Sequence, residues 1–175
     1  FRNPAIERSY RRALEAVRPD IIHIQHVQNA SARLLSLSSG SPLFVTLHDY
    51  WFRCATGQLV QVDGVFCQGP SYACAHCARV RANPPTPAVL QPLLWGPLVF
   101  RNAYLTWQLT YVDHFIAPSE YVRAQFLRWG FDRDRMTVLS NGIAPQRLQI
   151  RRSTTRVSGE GGIAFGYLGA LAPSK

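Results

Sequence analysis

Lysine and methionine are almost absent from this 175-residue chain, in which Lys175 is the only lysine and Met136 the only methionine. The net charge of +9 is therefore carried by arginine, whose planar guanidinium binds phosphate and carboxylate groups through paired hydrogen bonds. Such a charge predicts an anionic partner: a nucleotide sugar's diphosphate, an anionic membrane surface or nucleic acid. The arginines are scattered in blocks no longer than two, so composition does not choose among these partners, and arginine-rich codon usage is a fourth explanation.

Long apolar runs are also missing. No run approaches the roughly 18 residues that a membrane-spanning helix needs, and no signal peptide opens the chain. The chain starts at Phe1 and stops at Lys175, inside a strand-turn pattern that has only begun. We therefore expect a fragment, long enough for one domain and part of another.

Helical and strand-like segments alternate along the chain. Apolar spacing predicts helices at residues 4–17, 30–37, 98–112 and 121–129, and short β-branched runs predict strands at 21–25, 43–47, 114–117 and 136–139. The proline-rich residues 81–97 should be irregular in their first half. This alternation predicts an α/β fold, a Rossmann-like parallel sheet with flanking helices.

Polar side chains follow the first two predicted strands. His26 follows the first strand, and His48 and Asp49 follow the second. In open α/β sheets the ligand crevice lies at the carboxyl ends of the strands, so His48 and Asp49 are candidate catalytic residues. The alternative is that the pair only caps the next segment.

Four cysteines, Cys54, Cys67, Cys74 and Cys77, are separated by twelve, six and two residues. A small hairpin, residues 57–66, is predicted in the first gap, with its turn at Asp63 and Gly64. This pattern indicates a structural zinc site, closed by the C-x2-C pair. Unligated thiols, two disulfides and a redox-active pair are the alternatives. His76 is a substitute ligand or a solvent-facing loop residue.

Polar residues also follow the third and fourth predicted strands. Ser119 is placed to cap the helix 121–129, which Gly130 should end, and a helix amino terminus at this edge is a ready anion site. Residues 145–162 are polar and glycine-rich, like a linker. Residues 163–169 look like a strand and glycine turn that open a second domain.

Five ordered motifs resemble those of family 4 retaining glycosyltransferases of the GT-B fold. They are RPDIIH at 18–23, TLHD at 46–49, VDHFIAPS at 112–119, VLSNGI at 138–143 and FGYLG at 165–169 with the residues that follow. The cysteines after the His-Asp-Tyr-Trp segment also resemble those of a subgroup of that family. The resemblance spans nearly the whole chain.

The resemblance implies two Rossmann-like domains that face each other across a cleft. Residues 1–147 would form the amino-terminal, acceptor-side domain, without its first strand and with a Cys-rich insertion at 50–80. Residues 148–162 would be the interdomain linker, and 163–175 the truncated start of the donor-binding domain. The family's acidic pair, E-x7-E, would lie beyond the chain, so this piece alone should not transfer sugar.

The resemblance also implies roles for individual residues. His48 matches the family's histidine near the transferred sugar, and His26 joins it at the acceptor side. Ser119 and Glu120 match a polar turn facing the cleft, while Asn141 and Gly142 match the segment entering the interdomain hinge. Gly169 and Lys175 match the site of the donor diphosphate. Ala170 departs from the pattern, because many relatives carry arginine there.

The implied reaction transfers a sugar from a nucleotide diphosphate sugar to an acceptor hydroxyl with retention. No cofactor is needed for catalysis, so zinc at the cysteines would be structural. The implied partners are a nucleotide sugar and a glycan or lipid-linked acceptor, with peripheral contact to the inner membrane face from the cytoplasm and no nucleic acid. This setting suits cell-surface polysaccharide or glycolipid synthesis. The alternatives are a basic zinc-binding domain that interacts with nucleic acid and a noncatalytic sugar-binding relative.

Overall fold

A computed structural model describes residues 2–82 and 84–142. The helices are α1 (Pro4–Val17), α2 (Leu34–Leu37), α3 (Ala73–Arg81), α4 (Gln91–Leu109) and α5 (Glu120–Arg128), with a 3-10 turn at Ala88–Leu90. The strands are β1 (Ile22–Ile24), β2 (Leu43–Thr46), β3 (His114–Ala117) and β4 (Met136–Val138). The chain divides into two compact units, Phe1–Ser140 and Asn141–Lys175, and the elements named here belong to the first.

The four strands form one parallel sheet in the order β1-β2-β3-β4. Leu43 and Val45 of β2 are wholly buried, because helices cover the sheet, as in other parallel sheets. The core joins side chains of every strand to side chains of α2, α4 and α5. The prediction of an α/β fold with a Rossmann-like parallel sheet is therefore confirmed, and all four strands were expected to within one or two residues.

Helix α1 has the bounds that its sequence predicts. Asn3 caps its start by accepting the backbone N–H groups of Ala5 and Ile6, and Pro4 occupies the first turn, where its missing N–H costs nothing. The helix ends at Val17, and its C-cap, Arg18, adopts a left-handed conformation with φ of 48°. One face packs Ile6, Tyr10 and Leu14 against the core.

Helix α2 is much shorter than predicted. The helix was expected over residues 30–37, but it covers only Leu34–Leu37. Ser31 explains the late start, because its hydroxyl accepts the backbone N–H of Arg33 and donates to Glu7 at 2.8 Å. A serine that bonds its own backbone in this way competes with helical hydrogen bonds.

The helix predicted at residues 98–112 differs at both ends, whereas the described residues between Arg81 and Gln91 are irregular apart from the 3-10 turn, as predicted for the first half of residues 81–97. Helix α3, which carries Cys74 and Cys77, was not predicted. Helix α4 begins at Gln91, seven residues before the predicted start, and continues through Pro97. Pro92 fits the first turn, and the helix is held by a buried face of Arg101, Leu105, Gln108 and Leu109. Burial of that face outweighs the hydrogen bond that Pro97 cannot donate.

Helix α5 begins and ends with clear signals. The predicted cap at Ser119 is confirmed, because its side chain accepts the N–H of Val122. At the other end the C-cap is Trp129, and the predicted cap, Gly130, lies one residue beyond it with φ of 82°. Gly130 donates to Leu127 and Phe131 donates to Phe126, which together form a Schellman motif.

The predicted linker at 148–162, the predicted strand at 163–169, and the residues Gly169, Ala170 and Lys175 lie outside the described residues. Within the described ranges no helix is long and apolar enough to cross a membrane.

Candidate functional site

The predicted site residues gather along one edge of the sheet. Because the four strands run parallel, the segments that follow them emerge at the same edge. His26 follows β1, His48 and Asp49 follow β2, and Ser119 and Glu120 follow β3. This is the edge at which open α/β sheets bind ligands.

His48 is exposed and is held by one hydrogen bond. Its Nε2 lies 2.7 Å from Oε1 of Gln25, so Nε2–H donates to the amide oxygen. In the described part of the chain, Nδ1 of His48 has no hydrogen-bond partner. The ring is thus fixed through one nitrogen while the other presents a lone pair to solvent, which suits a general base.

Gln25 connects His48 to the interior of the sheet. Its amide nitrogen lies 3.2 Å from Nδ1 and 3.1 Å from Nε2 of His23, and the same Nε2 lies 2.8 Å from the hydroxyl of the buried Thr46. The resulting chain of side chains links β1 and β2 across their pairing. Sequence reasoning missed Gln25, because its role follows from the strand register and not from a motif.

His26 and Asp49 form a second pair at the same edge. Nδ1 of His26 accepts the backbone N–H of Gln28 at 2.9 Å, so the ring proton is on Nε2, which lies 3.1 Å from Oδ2 of Asp49. The other carboxylate oxygen accepts the backbone N–H of Trp51 at 2.8 Å. Both nitrogens of His26 and both oxygens of Asp49 are therefore occupied.

His48 and Asp49 are neighbours in the chain but pair with different side chains. The two residues do not bond each other, and each instead bonds a residue that follows β1. The N–H that Asp49 accepts from Trp51 agrees with the alternative in which this carboxylate caps the next segment. Asp49 also needs Gly57, since a Cβ there would lie 3.2 Å from Oδ2 on a backbone with φ of 76°.

The segment after Asp49 is anchored by aromatic and cationic contacts. Arg101 of α4 is buried, donates to the carbonyl oxygen of Trp51 at 2.6 Å and lies 4.7 Å from the centre of the Trp51 ring. Tyr50 contacts the rings of Phe126 and Trp129. Burial raises the pKa of the Tyr50 hydroxyl, which favours its neutral, packed form.

Ser119 and Glu120 lie at the start of α5. Ser119 is half-buried, and its side-chain oxygen caps the helix by accepting the N–H of Val122. Glu120 is exposed and pairs with Arg123 at 3.4 Å. Asn141 and Gly142 are exposed and begin the second unit. The roles predicted for these four residues stay predictions.

The cysteines come from three separate places in the chain. Cys54 follows the anchored segment, Cys67 follows the hairpin, and Cys74 and Cys77 lie on α3, where spacing by three puts them on one helix face. The predicted hairpin is present, with Val60 bridged to Phe66 and a turn at Gly64 that has positive φ. All four thiols are free, and His76 is exposed on α3, not in a loop as predicted.

The thiols have different acidities. Burial opposes ionisation of Cys54, but the Thr56 hydroxyl and nearby backbone N–H groups outweigh it, so the pKa of Cys54 is lowered. Burial raises the pKa of Cys74 and of Cys77, and the neighbouring sulfurs add to both effects. Among the residues that the structure describes, no three His, Cys, Asp or Glu side chains stand at the spacing of a formed metal site.

Comparison with known proteins gives one match. Searches of curated proteins and of solved structures found no significant match. Residues 1–147, however, match the family described as Glycosyltransferase Family 4. The matched range includes the His48–Gln25 and His26–Asp49 pairs and all four cysteines. The chain belongs to Glycosyltransferase Family 4.

Proposed function

We propose that the protein transfers a glycosyl group from a nucleotide diphosphate sugar to an acceptor hydroxyl with retention at the anomeric carbon. The observation that carries the proposal is the family match over residues 1–147, which supports glycosyltransferase activity. The exposed His48 at the carboxyl edge of the parallel sheet supports the location of the acceptor site.

His48 acts on the acceptor side in this proposal. With Nε2–H held by Gln25, the lone pair of Nδ1 is available to accept the proton that the acceptor hydroxyl loses. Imidazole suits this task because its ordinary pKa lies near neutrality. The alternative role, orienting the transferred sugar, uses the same nitrogen as a hydrogen-bond acceptor.

His26 and Asp49 act as positioning residues. Their hydrogen bond joins the segments that follow β1 and β2, and so fixes the backbone on either side of His48. Since neither side chain has a nitrogen or oxygen without a partner, neither is the base. Asp49 was predicted as catalytic, and this proposal gives it the supporting role.

The donor side of the proposal rests on the resemblance alone. Lys175 would offset the charge that develops on the leaving diphosphate, with Gly169 close to the same group. Ser119, Glu120, Asn141 and Gly142 would line the cleft. Zinc at the cysteines would take no part in the transfer.

A glycan or lipid-linked acceptor is proposed, with the enzyme on the cytoplasmic face of a membrane. Exposed apolar side chains on α4 support peripheral contact with lipid, since Leu93, Phe100 and Trp107 are each more than half exposed. Synthesis of cell-surface polysaccharide or glycolipid is the corresponding setting.

The test replaces His48 with alanine in the full-length polypeptide and measures transfer from a panel of nucleotide sugars. We expect turnover to fall by roughly tenfold or more, as for loss of a general base. His114→Ala is the matched control, because Nε2 of His114 bonds Thr137 at 2.7 Å but the residue begins β3 at the opposite edge.

Three outcomes are informative. Transfer that requires His48 and not His114 supports the proposal. Normal turnover in His48→Ala would contradict the proposed role of His48 as base or orienting residue, but it would not contradict the assignment as a transferase. If the wild-type protein binds nucleotide sugars but transfers none, it is the noncatalytic relative instead.

A further inference from the structure

The four cysteines line a single small cavity. Cys54, Cys67, Cys74 and Cys77 surround a space of about 20 Å³, enough for one ion or one water molecule. The other lining residues are Ala55, Thr56, Val60, Gln61, Ala73 and Ala78, so the wall holds no carboxylate and no imidazole. The fold thus brings all four cysteine thiols of the chain to one place, within an otherwise largely apolar lining.

The backbone around the cavity is arranged to support thiolates. The N–H of Gly69 points to Sγ of Cys67, and that of Ser71 points to Sγ of Cys74, each at 3.4 Å, while the protonated Cys67 thiol also donates to the carbonyl oxygen of Gly69 at 3.2 Å. Backbone donors of this kind stabilise sulfur that carries negative charge, and they are outer partners that orient metal ligands. Cys67 and Cys74 therefore already have backbone N–H groups directed at their sulfur atoms.

The three segments that carry the cysteines are tied together without any metal. Arg81 of α3 donates to the carbonyl oxygens of Val60 and Gln61 at 2.8 and 3.2 Å, and to the hydroxyl of Thr56 at 3.0 Å. The N–H of Cys67 donates to Leu59 across the hairpin at 2.7 Å. These contacts hold the hairpin against α3 before any metal binds.

From this cavity we propose that Cys54, Cys67, Cys74 and Cys77 bind one Zn²⁺ ion in a tetrahedral, all-sulfur site. Four sulfur ligands from a hairpin and a helix turn fit the preference of zinc for closed structural sites. Binding forms four Zn–S bonds and releases the four thiol protons to solvent. The sulfurs do not stand at metal-ligand spacing as described, so side-chain rotation into the cavity is part of the proposal.

The proposed zinc has a consequence for the site at the sheet edge. The N–H of Cys54 donates to the carbonyl of Tyr50 at 2.7 Å, and the N–H of Tyr50 donates to the carbonyl of Gly57 at 3.0 Å. Gly57 in turn lies against Asp49. Zinc bound at Cys54 would therefore fix the turn that positions Asp49, and so His26. This inference rests on the cysteine geometry and stands whether or not the protein transfers sugar.

The test measures metal content directly. The full chain is purified without chelators, and zinc is quantified by mass spectrometry and by release to a colorimetric chelator. We expect one zinc per chain, and cobalt substitution should give the visible spectrum of a tetrahedral cobalt thiolate. Cys54→Ser and Cys77→Ser should each weaken zinc affinity at least tenfold, an effect typical of altered metal sites.

His76→Ala is the matched control, because His76 is exposed beside Cys77 but does not line the cavity. Retention of zinc in this variant supports the all-sulfur site, and its loss overturns that ligand set. Cobalt titration of the metal-free wild type keeps the test valid if a serine variant fails to fold. Two disulfides by mass spectrometry, or four native thiols that alkylate freely and bind no cobalt, would overturn the proposal whatever the transferase assay gives.

Discussion

Glu7 is a carboxylate buried near the start of α1. It is 5% exposed and is contacted by Arg2 at 3.0 Å, by Ser31 at 2.8 Å and by Arg33 at 3.4 Å. The hydrogen bond from Arg2 is the largest effect and outweighs burial, so the pKa of Glu7 falls to about 2. Because the charged form is favoured in the folded state, this residue links stability to pH.

The pH dependence has a definite sign. The folded pKa lies below the ordinary value of 4.5, so the stabilisation by Glu7 is complete above about pH 4.5 and is lost as the pH falls toward 2. We expect Glu7→Gln to lower the free energy of unfolding at pH 7 and to flatten its decline in that acid range, measured by urea unfolding. Glu15→Gln is the control, because Glu15 is exposed on the same helix and should leave the curve unchanged. Equal curves for both variants would contradict the assignment.

At the residue scale the sequence predicted positions better than partners. His26, His48 and Ser119 lie where the strand pattern put them, since strand ends follow from short apolar runs. The partners Gln25 and Gly57 were not predicted. Gln25 reaches His48 only because β1 and β2 pair with Ile24 opposite Val45, and register cannot be read from one strand alone.

The Schellman motif that ends α5 depends on one backbone conformation. Gly130 has φ of 82°, and a Cβ there would meet no atom within 4 Å. Any destabilisation by Gly130→Ala must therefore come from the left-handed backbone conformation. We expect this substitution to lower the free energy of unfolding by roughly 1 kcal/mol.

Gly40→Ala provides the comparison for that prediction. A Cβ at Gly40 also meets open space, but its φ is not positive, so we expect no destabilisation. Urea unfolding of both variants at neutral pH separates the two effects. A Gly130→Ala protein as stable as Gly40→Ala would show that the left-handed conformation at residue 130 has no measurable cost.

Arg101 connects α4 to the segment after β2. Arg101→Lys keeps the charge but loses the planar group that both stacks on Trp51 and donates to its carbonyl oxygen. We expect a loss of roughly 1–3 kcal/mol in the free energy of unfolding, typical of a charged hydrogen bond. Arg128→Lys, at an exposed position on α5, should change it by less than about 0.5 kcal/mol. Similar losses in both variants would remove the special role of Arg101.

At the element scale the largest errors fall between β2 and β3, in addition to the late start of α2. Helix α3 was missed because the cysteine spacing dominated the interpretation, although Ala73, Ala75 and Ala78 are strong helix formers. The start of α4 was placed too late because Pro97 was taken as a boundary. Burial of the carboxyl-terminal half of α4 against the core stabilises the whole helix. A rule based only on neighbouring residues, such as a break at proline, does not include this burial.

At the scale of the whole molecule, the alternation of elements was enough to predict the class of fold. Every strand pairs with its neighbour in the sequence, so no distant pairing had to be guessed. The nucleic-acid interpretation left that alternation unexplained, whereas membership of Glycosyltransferase Family 4 accounts for it. The positive charge is then consistent with a phosphate-bearing donor or an anionic membrane surface.

The consecutive strand order also has a kinetic meaning. The connections β1-β2 and β3-β4 run over residues 25–42 and 118–135, but β2-β3 runs over residues 47–113. Closing that long loop costs the most chain entropy, so joining β2 to β3 should be the slow step of folding. The hairpin, α3 and the cysteines all lie within it. If zinc binds the four cysteines as proposed, a metal clip that forms there early would shorten the effective loop and speed this step of folding.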